Sequence, residues 1–364
     1  MIYVRADGNT NIGMGHIMRC LSISDAISDI ADASKKPVFI LAKNNDKEDI
    51  DCCLKIINDR GYEAITIDND YRRMEKEIPL LANILSKDKT DVVLVDSYQV
   101  TVSYYEQLRR MAKVVCLEDM GYSYPVDILI NYNIYATDIT DKYLGNEIEH
   151  KPDRVMLGVK YQPLRKEFSN VQCNTLIKGM VFDVMITTGG SDPNYAAGAI
   201  LEKLTKEAAF KNIRFHVVSG PFNTNADRMK KEYKEQQNVI IYTGLSDLSE
   251  LIKKCDVVIT ATGSTIYEVS ALGIPFISFY YAENQRQGAE AFARLINVVN
   301  AGCFNLDNDA YQNMQVVDNI VNALKKCICD KEYRELLSNE ERQLVDGKGA
   351  VRIAQAILEL EERR

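Results

Sequence analysis

The sequence predicts an α/β protein made of two doubly wound, Rossmann-like parallel-sheet units in tandem. Three observations carry this. Short continuous apolar runs recur along both halves between amphipathic stretches, the pattern of strands buried on both faces under covering helices. The alternation lapses once, over residues from about 135 to 178, and then restarts. At 364 residues the chain has the length of two ordinary domains, each able to bury its own core.

The first strand is Ile2-Tyr3-Val4-Arg5-Ala6-Asp7. It breaks at Asp7-Gly8-Asn9, passes through Asn11-Ile12-Gly13-Met14-Gly15-His16, and enters a helix with Ile17, Leu21, Ile23, Ala26 and Ile27 at its apolar positions. In open α/β sheets, ligands sit outside the carboxyl ends of strands, at loops of this kind. Glycines let backbone N–H groups approach an anion, and a helix N-terminus favours negative charge. His16, at the helix mouth, is a natural general base near neutral pH. A glycine-bearing turn into a capped helix with an exposed histidine accounts for the same residues without a ligand. Further strands follow at Val38–Ala42, Ala64–Ile67, Asp91–Asp96, Lys113–Leu117 and Ile128–Ile130, giving a first domain over 1–160.

Lys151-Pro152-Asp153 and Gln162-Pro163 punctuate the connecting segment. The second domain, 175–340, has strands at Asp183–Thr187, Arg214–Val218, Val239–Tyr242, Val257–Thr260 and Pro275–Phe279. The tail from about 309 is helical, and 341–364 reads as a final helix able to cross back to the first domain. Two such units place a central cleft between them, a usual position for a ligand.

Bulk properties narrow the function. With 44 basic and 52 acidic residues the net charge is −8, which argues against broad nucleic-acid binding. No apolar run approaches the ~20 residues of a bilayer span, and the strand pattern at the N-terminus leaves no signal-peptide signature. Nine cysteines, among them Cys20, Cys116, Cys173 and Cys255, form no CxxC, and the three histidines complete no zinc pattern. The expectation is a cytoplasmic protein without a metal, with Cys20, Cys116 and Cys255, which lie in apolar runs, serving as small core residues.

The second half carries the nucleotide signature. Thr187-Thr188-Gly189-Gly190-Ser191-Asp192 lies between a strand and a helix, where adjacent glycines suit close backbone approach to a diphosphate. A turn capped by Ser191 or Asp192 is the simpler account. Thr260-Ala261-Thr262-Gly263-Ser264-Thr265-Ile266-Tyr267-Glu268 repeats the arrangement. There Ser264 and Thr265 can meet a phosphate, and Glu268 can accept both hydroxyls of a ribose. Thr265 and Glu268 also have the spacing of a capping box. Asn284 and Gln285, after the next strand, can hydrogen-bond a sugar or phosphate, whereas Arg286 and Gln287 suit a solvated helix end.

Taken in order, these residues resemble a known family over nearly the whole chain. The carrying motifs are Arg5-x-Asp7, Gly13-x-Gly15-His16-x-x-Arg19, Asp96-Ser97-Tyr98, Glu118-Asp119 and Asn131-Tyr132-Asn133. They continue with Gly158-x-x-Tyr161-x-x-Leu164-Arg165-x-Glu167-Phe168, Gly189-Gly190-Ser191-Asp192, Glu268 and Asn284-Gln285. The set is similar to the UDP-2,4-diacetamido-2,4,6-trideoxy-β-L-altropyranose hydrolases of pseudaminic acid biosynthesis. That resemblance implies a GT-B fold, related to the glycosyltransferase that forms peptidoglycan lipid II, with no metal or cofactor. It implies His16 as general base on a water, Tyr98 near the sugar, and Asp7 and Asn131 at neighbouring strand ends to orient His16 or bind sugar groups. Gly13 and Gly15 fall on the sugar–phosphate side. Gly190, Ser264, Thr265 and Glu268 match nucleotide-binding positions, with Asn284 and Gln285 nearer the sugar phosphate. Ser97 stands where close relatives often carry histidine, so one sugar contact differs.

A glycosyltransferase of the same fold, as in relatives tied to spore-coat polysaccharide, is the main competing reading, since fold alone does not fix function. The first domain shows no amphipathic basic segment for a lipid-linked acceptor; Arg72-Arg73 and Arg109-Arg110 suit solvated helix faces. A non-catalytic nucleotide-sugar binder would have no use for His16 beside Tyr98. A dehydrogenase is disfavoured because no GxGxxG with its acidic partner occurs in the right context.

Overall fold

The computed structural model describes residues 1–9, 12–31, 35–43, 47–87, 90–169, 177–220, 223–245, 247–305, 307 and 309–363. Asn11 and Cys173 lie outside the described residues. The chain divides into two compact units, one formed by Met1–Lys166 with Gly347–Arg364, the other by Glu167–Asp346.

In the first unit, β1 (Ile2–Ala6), α1 (Gly15–Ile30), β2 (Val38–Ala42), α2 (Lys47–Asp59) and β3 (Glu63–Ile67) alternate. Then come α3 (Ile78–Ile84), β4 (Val92–Asp96), α4 (Val102–Leu108), β5 (Lys113–Leu117), β6 (Ile128–Asn131), α5 (Asp141–Leu144) and β7 (Arg154–Leu157). The seven strands form one sheet in the order β3-β2-β1-β4-β5-β6-β7, every pair parallel. Successive residues of a strand point to opposite faces, and both faces are dry. Val4, Leu41 and Leu94 join the core under α1 and α2, while Tyr3, Ile40 and Val95 join the core under α3 and α4. That two-sided burial is why these strands read as unbroken apolar runs.

β7 falls in the stretch expected to be a linker. It is an edge strand with only Met156 fully buried, so it carries no continuous apolar run. The tail also differs from expectation. The helix over Lys331–Leu344 ends there; extended Val345 and Gly347 at φ +72° then break the chain before the last helix begins at Gly349.

The second unit opens with α6 (Lys166–Ser169), which straddles the division, then β8 (Asp183–Thr187), α7 (Ala196–Lys206), β9 (Arg214–Ser219), α8 (Ala226–Glu232) and β10 (Val239–Thr243). It continues with α9 (Leu248–Lys254), β11 (Val257–Ala261), α10 (Ser264–Leu272), β12 (Phe276–Tyr280), α11 (Glu283–Leu295), β13 (Val299–Cys303), α12 (Ala310–Cys329) and α13 (Lys331–Leu344). Its sheet runs β10-β9-β8-β11-β12-β13, again parallel throughout.

The chain then returns to the first unit as α14 (Gly349–Glu362). Ala350, Ile353, Ala354, Ile357 and Leu360 recur at helical spacing and pack on the same core as α1. Gly349 touches the backbone of Gln162 so closely that an added Cβ would lie 2.1 Å from its carbonyl oxygen. At the other end, Lys113 Nζ donates to the carbonyl of Leu360 at 2.8 Å and caps the helix.

Strand order reverses direction between β1 and β4 in the first sheet and between β8 and β11 in the second. These switch points open crevices at the carboxyl edges, where open α/β sheets bind ligands. Cys20, Cys116 and Cys255 are buried and unpaired, as expected of small core residues. Among the described residues no helix is long and apolar enough to cross a membrane, and no group of His, Cys, Asp and Glu is arranged to hold a metal.

Candidate active site

At the first switch point, four neighbouring strand ends deliver one polar network. His16 is the second residue of α1, after β1; Asp96 ends β4; Asp119 follows β5; Tyr132 follows β6. His16 Nδ1 lies 2.7 Å from Asp96 Oδ1. Arg19, one helical turn after His16, forks onto Asp96 through Nε to Oδ2 and Nη2 to Oδ1, each at 2.5 Å. Its Nη1 reaches Asp119 Oδ2 at 3.1 Å and also bonds the Tyr132 hydroxyl. The Tyr98 hydroxyl donates to the same Asp119 Oδ2 at 3.1 Å. The Tyr98 ring meets the His16 imidazole edge-on, centroids 4.7 Å apart at 77°.

Burial by itself would raise the Asp96 carboxyl, but the Arg19 guanidinium and His16 outweigh it and hold the group well below the usual carboxylate range. Asp96 is therefore an ionised acceptor. A proton on Nδ1, donated to Asp96, leaves Nε2 as the proton acceptor. Arg19 Nη2 stands 2.9 Å from Nδ1 because both donors share Asp96 Oδ1. Burial, with the Asp119 charge, pushes the Tyr98 phenol up to about 12, so it stays protonated. Since that proton is given to Asp119, the Tyr98 oxygen offers lone pairs outward. Asp7, Ile12, His16, Tyr71, Asp96, Ser97, Tyr98 and Gln99 line an open pocket.

The other first-unit candidates sit differently from expectation. Asp7 reaches the pocket wall, but its carboxylate accepts from Arg5 Nη1 at 2.5 Å and from the Ala42 N–H at 2.9 Å. Arg5 is itself wholly buried and forks onto Glu77 with two bonds of 2.8 Å. Asp96, not Asp7, orients His16. Asn131 is buried too: its amide donates to the Tyr143 hydroxyl at 2.7 Å, and its carbonyl accepts from the backbone and side chain of Asn133 at 3.0 Å. Those bonds brace the β6 loop. Gly13 hydrogen-bonds back to the Asn9 carbonyl at 2.7 Å, closing the β1–α1 loop, and a Cβ at Gly15 would meet open space.

In the second unit the left-handed turn of the Gly-Gly pair is made by Gly189, at φ +84°, and not by Gly190. Asp192 accepts from the N–H groups of Ala196 at 2.8 Å and Ala197 at 3.1 Å, so the start of α7 is closed by its own chain. The start of α10 is different. Its N-cap is Gly263, with no side-chain cap. Ser264 is the exposed first residue, Thr265 is already inside the first turn, and the Thr265–Glu268 capping box does not form. Glu268 follows one turn on, largely buried. Gln285 Oε1 accepts from the Tyr281 N–H at 3.1 Å, while Asn284 is exposed at the start of α11. Arg286, as expected, is a solvated residue paired with Glu283.

Asp96, Arg19, Asp119 and Tyr132 are the site residues that sequence reasoning left without a role. Their signal is a polar residue at or just past the end of each successive strand, with an arginine one turn beyond the histidine.

Residues 184–355 match the glycosyltransferase family 28 C-terminal domain. The spore coat polysaccharide biosynthesis protein SpsG of Bacillus subtilis is 24% identical over 98% of each chain. The UDP-2,4-diacetamido-2,4,6-trideoxy-β-L-altropyranose hydrolase of Campylobacter jejuni is 23% identical over 80% of this chain and 96% of its own. An uncharacterized protein of Methanocaldococcus jannaschii is 26% identical over 81% of this chain, which spans 59% of that longer protein. Among solved structures, MurG of Acinetobacter baumannii superposes with a TM-score of 0.65 over 98% of this chain and 99% of its own, at 11% identity. The chain thus has a GT-B type fold, its residues 184–355 match the glycosyltransferase family 28 C-terminal domain, and its relatives include the UDP-diacetamido-trideoxy-altropyranose hydrolase named above.

Proposed function

We propose that this protein hydrolyses a UDP-linked 2,4-diacetamido-2,4,6-trideoxy hexose to the free sugar and UDP, with inversion, as a step in nonulosonic (pseudaminic) acid synthesis. The observation that carries the reading is the His16–Asp96 pair, with Tyr98 beside it on a pocket wall. In this reading a water donates one hydrogen bond to His16 Nε2 and the other to the Tyr98 oxygen, which leaves its lone pair for the anomeric carbon. As the new C–O bond forms, the bond to the UDP oxygen breaks on the opposite face and the water proton passes to Nε2, so a single displacement inverts the centre. Asp96 steadies the imidazolium so formed. The leaving diphosphate is assigned to the uncapped start of α10, with Ser264 and Thr265, and the ribose to Glu268. Gly190, Asn284 and Gln285 are assigned to the phosphate and sugar side. No metal is assigned to the step, and the protein is assigned to the cytoplasm, where UDP-sugars are made.

The test is to incubate the protein with UDP-2,4-diacetamido-2,4,6-trideoxy-β-L-altropyranose, without acceptor or added metal, and follow UDP and free sugar by NMR. Release of both, with an inverted first-formed anomer and a loss of about 10³-fold or more in His16→Ala, is the expected outcome. Tight UDP binding without turnover refutes it. One observation favours a second reading: the likeness to SpsG spans 98% of both chains, so a transferase using His16 to deprotonate a sugar hydroxyl is the alternative.

A further inference from the structure

We propose that Arg19 is the positioning residue that sets His16 and Tyr98 in one fixed geometry; this rests on the hydrolytic reading above. Both groups that reading aims at the water are themselves held by carboxylates, His16 by Asp96 and Tyr98 by Asp119. Among the described residues, Arg19 is the side chain that joins the two carboxylates. Its Nε and Nη2 occupy both oxygens of Asp96, and its Nη1 reaches the Asp119 oxygen that receives the Tyr98 hydroxyl. With the edge-on ring contact, the chain of contacts closes: His16, Asp96, Arg19, Asp119, Tyr98 and back to His16.

The fork is what makes arginine necessary. A bidentate grip fixes the plane of Asp96, so that Oδ1 faces Nδ1 and the imidazole cannot exchange its tautomer by letting the carboxylate turn. A lysine ammonium is a point charge that satisfies one carboxylate at a time. Arg19 is in turn immobilised by the Tyr132 hydroxyl and by the Tyr132 ring, 5.5 Å below its guanidinium carbon. Arg19 touches no reacting atom in this account. It acts only through Asp96 and Asp119.

The experiment uses the full chain as wild type, Arg19→Lys and Arg19→Gln, with two readouts. The first is ¹⁵N-histidine NMR, in which the three imidazoles, of His16, His150 and His216, are few enough to assign. The wild type is expected to show His16 as a single neutral tautomer protonated at Nδ1, and both variants a mixture of tautomers. The second is steady-state hydrolysis of the same UDP-sugar. Arg19→Gln is expected to lose about 100-fold in kcat with KM within about threefold, and Arg19→Lys to recover less than about a tenth of the loss. UDP binding and thermal midpoints report whether each variant is folded. An unchanged His16 tautomer in Arg19→Gln overturns the inference, as does Arg19→Lys turning over within threefold of wild type. If the wild type does not hydrolyse the sugar, the hydrolytic reading falls, while the tautomer spectra still decide whether Arg19 sets His16.

Discussion

Replacing Asp96 by asparagine changes one oxygen to an amide and leaves the shape of the site intact. The structure says why this small change is severe. Both Asp96 oxygens are used as acceptors, Oδ1 by His16 Nδ1 and Arg19 Nη2, Oδ2 by Arg19 Nε. Asparagine has one acceptor oxygen, so either rotamer sets an N–H against a donor. If the amide nitrogen faces Arg19 Nε, two donors collide and the fork is lost. If it faces His16, Nδ1 must become an acceptor, the imidazole proton moves to Nε2, and the base is gone. The loss of a correctly protonated base in such a pair is about 10⁴-fold in kcat, or roughly 5 kcal/mol at 1.36 kcal/mol per decade. The assay is UDP release at saturating substrate, beside UDP binding and a thermal melt. The expected result is a fall of about 10³–10⁴-fold in kcat with UDP affinity unchanged, because the nucleotide is assigned to the other unit. Turnover within tenfold of wild type refutes the argument.

Two further substitutions probe the scaffold. Glu341 is fully buried in the second unit; one oxygen accepts the Phe276 N–H at 3.3 Å and the other has no hydrogen-bond partner among the described residues. Burial, opposed only in part by that bond and by Arg342, raises its carboxyl well above the ordinary value. A carboxyl raised on folding is unpenalised below its unfolded value of 4.5 and costs stability as pH climbs above it. Glu341→Gln is therefore expected to be near neutral at pH 4 and stabilising by about 1–3 kcal/mol at pH 8, read from denaturant midpoints at the two values. An equal effect at both rules out the titration. Gly349→Ala would press a methyl onto the Gln162 backbone. It is expected to cost about 1–3 kcal/mol and to raise amide exchange along α14 before the rest of the first unit opens, and an unchanged exchange pattern counts against the close contact.

The two sheets were legible because each central strand is dry on both faces, so runs such as Val92-Val93-Leu94-Val95 announce themselves. β7 and β13 were not, because an edge strand half open to water needs no such run. His16 stood out as a functional type at a loop position, and Tyr98 entered through the family resemblance. Asp96, Arg19 and Asp119 could be quoted in motifs but not connected, since Arg19 lies 77 residues from Asp96 and 100 from Asp119. The strand order, with β4 beside β1 and β5 beside β4, brings them together. The second unit shows the opposite limit. Thr265 and Glu268 have capping-box spacing, yet Gly263 holds the cap position two residues earlier, so spacing alone did not locate the helix start.

The return of α14 to the first unit has a consequence for how the protein is made. The second unit is one unbroken stretch of about 180 residues, inserted between the body of the first unit and the helix that covers it. During synthesis the first sheet emerges with the face that receives Ile353 and Ile357 still bare. At 5–20 residues per second, that face waits roughly 10–40 s for its cover while the whole second unit is translated. The second unit can fold as it leaves the ribosome; the first, though it leads, is finished last. Slow codons or truncations in the stretch that encodes α14 would thus expose apolar surface beside the histidine helix, more than 300 residues earlier in the chain.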